Sequence, residues 1–315
     1  MGTGFGSGKG KAILFGEHFV VYGYPAIAAG IAAETTAKVT RVRSFGWTLI
    51  DDRPAMPGYK EKKAGEHKIS IENMLKHLNI DTTKTGFQID LGGTLVCTSG
   101  TGASAASCVA IARALNEEYS LGLDDNQINE TAYIGEMGSH GTPSGLDNTA
   151  STFGGLIWFT RDLNGGPPSF EKLKLGKSAD LVIASTGLTA STKIVVGDIK
   201  EKKDTDPNWF NSISNEYNTL ANDAKASLID LDFERVGKLM DKNHDLLQQL
   251  TVSCKELDML VEVARDNGAL GAKMTGTGRG GNILALAPDE VTAKQIAASL
   301  EKAKAAGVWL TSFGL

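Results

Sequence analysis

Several protein classes are excluded by what the sequence has little of. Its three cysteines, Cys97, Cys108 and Cys254, are too few for a disulfide framework and are not spaced as zinc ligands. No apolar run is long enough to cross a bilayer, and the chain shows no apolar leader segment. These absences predict free thiols, a cytoplasmic location and no membrane partner.

Neither sign of charge dominates the chain. It has 32 basic and 37 acidic residues, a net charge of −5, which argues against nucleic acid as the main partner. Hydrophobic residues make up 41% of the 315 residues, enough for one large domain or two. The 37 glycines exceed average use and predict many tight turns. The composition leaves the choice between a monomer and a homodimer open.

Apolar periodicity predicts strands and helices in both halves of the chain, which is typical of an α/β or α+β protein. The charged stretch from Tyr59 to His67 is predicted to be an exposed loop. No proline-rich or serine-rich linker marks a domain boundary. We place the boundary near residue 180, which gives domains 1–180 and 181–315. Predicted strands cover residues 11–16, 26–31, 36–42, 47–50, 87–91, 153–160, 179–184, 270–275, 282–287 and 308–312. Predicted helices cover residues 69–78, 105–119, 125–137, 209–228, 233–250, 254–267 and 289–305.

The functional hypothesis centres on the stretch from Val96 to Tyr119. Small and hydroxylated residues at 98–104 lead into an amphipathic helix. A glycine loop before a helix presents free backbone N–H groups and the positive end of the helix dipole to an anion. No Gly-Lys-Ser/Thr follows the glycines, so the loop is not a Walker sequence. A capped turn without a ligand is the alternative interpretation.

A second group of polar residues flanks the first apolar strand. Lys11 begins it, and Glu17 and His18 follow it. The three side chains would lie where a core element meets solvent. The alternative is a lysine whose stem is buried and whose ammonium reaches water, next to an exposed turn.

Two carboxylates flank a loop that contains glycine and proline. Phosphoryl transfer needs one carboxylate to hold Mg²⁺ and a second polar group near the acceptor hydroxyl, and Glu136 and Asp147 could supply them. The Ser104 hydroxyl could join the metal site or only cap its helix. Surface charge and turn stabilisation are the alternatives for the carboxylates. His140 in the same loop is interpreted as a surface or core histidine, not as a metal ligand.

A last glycine loop spans residues 275–281. Gly276, Gly278 and Gly281 formally match G-x-G-x-x-G. The glycines lead into a predicted strand, whereas a dinucleotide fingerprint opens a helix, so we reject that interpretation.

Taken in order, these clusters resemble the motifs of the GHMP kinase family, named for galactokinase, homoserine kinase, mevalonate kinase and phosphomevalonate kinase. The resemblance covers nearly the whole chain. The motif GKAILFGEHFVVYG and the segments 143–155, 186–193 and 273–281 are most similar to the branch that phosphorylates mevalonate. The resemblance implies an N-terminal domain like ribosomal protein S5 domain 2 and a C-terminal ferredoxin-like domain. It also implies transfer of a phosphoryl group from ATP to the 5-hydroxyl of (R)-mevalonate, on the route to isoprenoids.

The same resemblance implies a role for each matching residue. Asp147 would be the catalytic base, with Lys11 beside it and beside the acceptor hydroxyl. Mg²⁺ would be held by Ser104 and Glu136. The ATP phosphates would be held by Ser99, Gly100, Thr101, Gly102, Ala103 and Ser104. The acceptor would be bound by Lys11, Glu17, His18, Thr192 and Gly276, with the loop at 276–281 closing over the site.

Several positions depart from the family pattern. Lys9 replaces a proline in the first motif, and Ala103 replaces a serine in the phosphate loop. Arg279 stands where small residues are usual, and it could reach a phosphate or face solvent. Two alternatives to the expected activity stay open. One is a kinase of the same family for another small alcohol, such as a sugar, or for a different hydroxyl of mevalonate, and the other is a non-catalytic binding protein.

Overall fold

The computed structural model describes residues 2–98, 100–141 and 143–314, without the side chains at positions 139 and 140. The chain divides into two compact units, Met1–Lys11 with Gly30–Gly154 and Ala12–Ala29 with Gly155–Leu315. Strands β1 (Thr3–Phe15) and β2 (Ala26–Val42) contribute residues to both units. Compact units need not coincide with family domains, so the division at residues 180 and 181 stays a prediction.

The first unit combines a sheet with four helices. Strand β4 pairs antiparallel with the part of β2 from Thr35 to Val42 and parallel with β3. Buried apolar side chains of the helices and of β4, such as Ile71, Phe87 and Val109, form its core. Its further elements are β3 (Trp47–Asp51), α1 (Tyr59–His77), β4 (Gly86–Gly93), α2 (Ala103–Tyr119), α3 (Asp125–His140) and α4 (Leu146–Phe153).

Helix α1 shows that the predicted loop at Tyr59–His67 was wrong. The helix begins after Gly58, whose backbone is left-handed, and its first half consists mainly of lysine, glutamate and alanine. These residues have high helix propensity, and Lys63 and Glu66 pair at 2.7 Å one turn apart. The charged residues correctly indicated solvent exposure, but their large number left no apolar periodicity from which a helix could be predicted.

Strand β1 lies directly on the backbone of helix α2. A Cβ atom on Gly4, Gly6 or Gly8 would stand 2.1, 2.2 and 2.3 Å from the carbonyl oxygens of Ala114, Ala110 and Ala106, respectively. These distances are too short for any side chain. Alternate residues of the strand therefore match successive turns of the helix, and only glycine allows the contact.

The second unit contains a four-stranded antiparallel sheet in the order β10-β7-β9-β8. This strand order, with helices after β7 and β9, is the split βαβ arrangement, and it confirms the ferredoxin-like prediction. Strand β5 pairs with Ala26–Ala29 and with β6. The elements are a 3-10 helix (Val20–Tyr22), β5 (Leu156–Thr160), β6 (Ser169–Leu173), β7 (Ala179–Ser185), α5 (Thr192–Thr205), α6 (Pro207–Ile229), α7 (Phe233–Gln249), α8 (Lys255–Asp266), β8 (Gly271–Thr275), β9 (Asn282–Ala287), α9 (Glu290–Lys302) and β10 (Gly307–Phe313).

Side chains of helix α7 bond to the outer edge of β8. Asp241 Oδ1 accepts the Ala272 N–H at 2.8 Å, and His244 Nδ1 accepts the Met274 N–H at 3.2 Å. Because Nδ1 is an acceptor, the proton of the neutral His244 ring is on Nε2, which lies 3.1 Å from Asp258 Oδ1. Two backbone donors of the edge strand are thus satisfied without a further strand.

Acid is expected to lower the free energy of unfolding through His244. Burial lowers its pKa from 6.5 to about 4. Between these values the unfolded chain binds more protons than the folded one, so the stabilisation is complete above about pH 6.5 and is lost as the pH falls toward about 4. We expect a loss of about 1 kcal/mol per pH unit in this window.

Urea unfolding followed across this pH window measures the effect. Gln can still accept the Met274 N–H but does not titrate, so His244→Gln should flatten the pH dependence. Burial lowers the pKa of His18 and of His67 to about 4 as well, so part of the slope should remain. Equal slopes for the two proteins would contradict the assignment.

Candidate active site

The loop before helix α2 has the geometry of an anion-binding turn. Gly100 and Gly102 have positive φ angles of 92° and 72°, and Gly102 is the N-cap residue, with no side-chain capping bond. The Thr101 hydroxyl donates to the carbonyls of Val96 and Thr98 at 3.3 and 3.2 Å, which closes the turn. Among the described residues, no side chain caps the first N–H groups of α2, which can therefore bind phosphate oxygens. Ser99 lies outside the described residues.

Lys11 and Asp147 form an ion pair beside this loop. Lys11 Nζ lies 3.1 Å from Asp147 Oδ1, and the lysine side chain is 3% exposed whereas that of Asp147 is 35% exposed. The Lys11 N–H donates to the Thr101 carbonyl at 2.9 Å. A Cβ atom on Gly102 would stand 2.6 Å from Lys11 Cγ, so the lysine stem lies against the loop. A buried ammonium therefore holds a partly exposed carboxylate next to the start of α2.

Ser104 and Glu136 meet at the first turn of α2. The Ser104 hydroxyl donates to Glu136 Oε1 at 2.5 Å, and Glu136 is buried. Cys108 Sγ lies 3.9 Å from the same oxygen, and burial raises the pKa of its thiol well above the usual range. A hydroxyl and a carboxylate are the oxygen ligands that Mg²⁺ prefers when phosphate and water complete its shell. The side chains present therefore fit Mg²⁺.

A pocket of about 60 Å³ opens beside Ser104. Arg53 is buried there, where it binds Asp51 through Nε at 2.8 Å and Nη2 at 2.6 Å and donates to the Ala103 carbonyl and the Ser107 hydroxyl. Asp51, Arg53 and Ser107 were not predicted to belong to a site. The charged stretch from Tyr59 to His67, which supplies further lining residues, was predicted to be an exposed loop. The pocket is lined by Asp51, Arg53, Tyr59, Lys60, Lys63, Glu66, His67, Ala103, Ser104 and Ser107.

In the second unit, Glu17 is fully buried in an ion pair with Lys273. Lys273 Nζ also donates to the carbonyl oxygens of Met274 at 2.7 Å and Ile13 at 3.5 Å. Glu17 Oε2 is buried with no hydrogen-bond partner among the described residues. Lys273 was not a predicted site residue, and only its place in the last motif pointed to it.

His18 follows Glu17 in a left-handed backbone conformation, with a φ angle of 65°. Its Nε2 lies 2.9 Å from the Thr277 carbonyl oxygen. A carbonyl can only accept, so Nε2 carries the proton and Nδ1 is left as an acceptor. Burial lowers the His18 pKa to about 4, which keeps the ring neutral at physiological pH.

The Gly276–Gly281 loop is bonded to elements of its own unit. The hydroxyls of Thr192 and Thr277 lie 2.7 Å apart, and the Gly281 N–H donates to the Leu188 carbonyl at 2.8 Å. Arg279 pairs with Asp198 and stays partly exposed, so the choice between a phosphate contact and solvent remains open. Closure of this loop would require breaking these bonds.

The structure thus brings the predicted residues together in two groups. In the first unit, Lys11, Asp147, Ser104 and Glu136 surround the start of α2. The second group, which belongs to the other unit, consists of Glu17, His18, Thr192 and Gly276, with Lys273 and Thr277 added by the structure.

Family models match both parts of the chain. The model of the GHMP kinases N terminal domain matches residues 67–155, and that of the GHMP kinases C terminal matches residues 224–306. The chain therefore belongs to the GHMP kinase family, whose members are kinases, and its mixed α/β elements agree with that fold.

Several of the similar proteins are mevalonate kinases. That of Thermococcus gammatolerans is 33% identical and covers 90% of this chain and 89% of its own length. The mevalonate kinase of Methanothermobacter thermautotrophicus is 33% identical, and the match covers 91% of this chain and 92% of that protein. The crystal structure of L. major mevalonate kinase in complex with R-mevalonate is 41% identical, with a TM-score of 0.94 over 99% of this chain and 96% of that one.

Among the described residues, no helix is both long and apolar enough to span a membrane.

Proposed function

We propose that this chain is a kinase that transfers the γ-phosphoryl group of ATP to the 5-hydroxyl of (R)-mevalonate. The observation that carries the proposal is the Lys11–Asp147 pair, 3.1 Å apart, beside a glycine turn at the start of α2. This arrangement supplies a base and a cation next to an anion-binding helix end. The similarity to mevalonate kinases, including one in complex with R-mevalonate, supports the choice of acceptor.

Asp147 would accept the proton of the attacking hydroxyl. Its partly exposed carboxylate can meet an acceptor, and the glycine before α4 lets the backbone present it in the first helical turn. Lys11 would stabilise the negative charge on the hydroxyl oxygen as the proton leaves. Phosphoryl transfer requires mainly positioning and charge stabilisation, and both groups provide these without a covalent intermediate.

The phosphates of ATP would bind the backbone N–H groups of residues 99–104. Ser104 and Glu136 would hold Mg²⁺, which neutralises charge on the transferred phosphoryl group when it is bound. Ala103 offers no side-chain hydroxyl, so the backbone provides the contact to phosphate at that position.

The acceptor would be recognised by residues of the second unit. His18 presents Nδ1 as an acceptor, because its Nε2–H is bonded to Thr277. It would therefore receive a hydrogen bond from a hydroxyl of mevalonate. Thr192 and the backbone at Gly276 would add further polar contacts, and Glu17 belongs to the same group.

Ser104→Ala is expected to raise the Mg²⁺ concentration needed for half-maximal activity by about tenfold. The change removes one oxygen ligand and leaves Glu136 in place. Activity measured against Mg²⁺ at saturating ATP tests this. Ser227→Ala is a suitable control, because that hydroxyl bonds to a helix carbonyl at 2.9 Å within α6. The same Mg²⁺ dependence in both variants would remove Ser104 from the metal site.

A coupled assay of ADP release, with mevalonate, galactose and homoserine as separate acceptors, tests the function itself. We expect turnover with mevalonate alone and a new phosphate on its 5-hydroxyl by ³¹P NMR. Turnover with another alcohol would assign a different acceptor. ATP binding without turnover of any of the three would mean that the acceptor is a different one or that the chain is a non-catalytic binding protein.

A further inference from the structure

The segment that carries His18 is joined to strand β8 and the loop after it at two places. One connection is the ion pair between Glu17 and Lys273, and the other is the bond from His18 Nε2 to the Thr277 carbonyl. Glu17 and His18 are consecutive, and Lys273 and Thr277 lie on one continuous strand and loop. The two connections therefore fix the same two segments against each other.

The ion pair is built as a rigid anchor. Neither side chain has exposed surface, and Lys273 Nζ donates to Glu17 Oε1 and to the carbonyls of Met274 and Ile13. Hydrogen bonds from a charged donor are stronger than those between neutral groups. One oxygen of Glu17 faces this lysine and the other is buried. The carboxylate is therefore shielded from solvent and from an alcohol substrate that enters from solvent.

His18 needs such an anchor. Its φ angle of 65° lies in the left-handed region, which residues other than glycine adopt only when the surroundings hold them there. Its tautomer also depends on a single bond to Thr277. A shift of β8 relative to residues 17–18 would break the bond to Thr277 and leave the ring free to adopt either tautomer.

We propose that Lys273 is a positioning residue that acts through Glu17 to hold His18 in the orientation and tautomer that bind the acceptor. Glu17 then contributes to acceptor binding through His18 and not by contact. This inference rests on the proposed function and extends it, because it explains why a buried ion pair lies beside an acceptor-binding histidine. A purely structural pair would stabilise the unit without affecting the His18 ring.

The double variant Glu17→Met with Lys273→Met tests this, because it replaces the pair by apolar side chains of similar length. Such replacements of buried ion pairs are often tolerated by the fold. Two-bond ¹H–¹⁵N spectra of the imidazoles report tautomer and titration, and His18→Gln assigns the His18 signals among the five histidines. We expect the wild-type ring to carry its proton on Nε2 and the double variant to lose this single tautomer.

A further readout is kinetic. The KM for mevalonate should rise about tenfold, the effect of one hydrogen bond to substrate, while the KM for ATP changes by less than about twofold. Arg41→Met with Glu118→Met is the control, since it removes an ion pair of the first unit, 2.6 Å long, in which Glu118 is buried and Arg41 is partly exposed. It should change none of these values.

If the double variant does not fold, the milder Glu17→Gln, which keeps the shape of the side chain, replaces it. We expect this variant to raise the KM for mevalonate by about threefold. An unchanged His18 tautomer in a folded variant would overturn the proposal. So would an altered tautomer with an unchanged KM for mevalonate. If the wild-type protein turns over no alcohol, the proposed function fails, and the NMR spectra still decide whether Lys273 positions His18.

Discussion

Asp147→Asn is expected to lower kcat by about 10³-fold, because asparagine cannot accept the hydroxyl proton. The substitution keeps the shape of the side chain and an oxygen that can accept from Lys11 Nζ, now at 3.1 Å. The KM for ATP should therefore change little. Steady-state kinetics with saturating mevalonate measures the loss.

Folding should be nearly unaffected by the same change. Asp147 is 35% exposed, and its helix is held independently by Asn148, whose amide donates to Asn129 Oδ1 at 2.7 Å. We expect the free energy of unfolding to fall by less than about 2 kcal/mol. Asp125→Asn is the control, as it neutralises an exposed carboxylate that pairs with Arg113 at 2.7 Å. If Asp147→Asn turned over at the wild-type rate, Asp147 would have no part in the chemistry.

Lys11→Met should lower kcat by about 10²-fold to 10³-fold, the usual loss when one charge-stabilising group is removed from an active site. Methionine keeps most of the apolar stem that lies against Gly102, so the loop should retain its shape. The lost ammonium would leave the developing charge on the hydroxyl oxygen without its nearest cation. Single-turnover measurements separate this effect from product release.

Lys9→Met offers a close control for this variant. Lys9 lies on the same strand, but its side chain is 43% exposed and pairs with Glu34 at 2.8 Å. We expect wild-type kcat for Lys9→Met. Equal losses in the two variants would show that the strand, and not the Lys11 ammonium, determines the rate.

Elements with strong local periodicity could be predicted from sequence. Strand β9 has the predicted bounds, and helix α7 ends one residue before its predicted end. Helix α4 was read as part of a loop, because it has eight residues and is bounded by Gly145 and Gly154. Helix α5 was missed because only Val195 and Ile199 are buried along its mostly polar length. Short or weakly apolar helices depend on tertiary contacts, which a local pattern does not contain.

The site was predictable to the extent that motifs mark it. The resemblance to a kinase family led to Lys11, Asp147, Ser104 and Glu136. From their spacing alone, these residues could equally have been surface charges or a helix cap. The partner of Glu17 lies 256 residues away along the chain, at Lys273. No local rule connects such positions, because their contact depends on how the end of β1 and strand β8 are placed in the folded unit.

The glycine contacts between β1 and α2 have a mechanical consequence. Three backbone atoms of the helix touch alternate residues of the strand, so neither element can slide or rotate without a collision. Lys11 continues that strand, and the phosphate loop opens that helix. The ammonium and the anion-binding turn must therefore move as one rigid body. One residue inserted between these contacts in either element would shift the glycines away from the helix carbonyls that they face. This part of the chain should therefore tolerate substitutions at its exposed positions far better than changes in length.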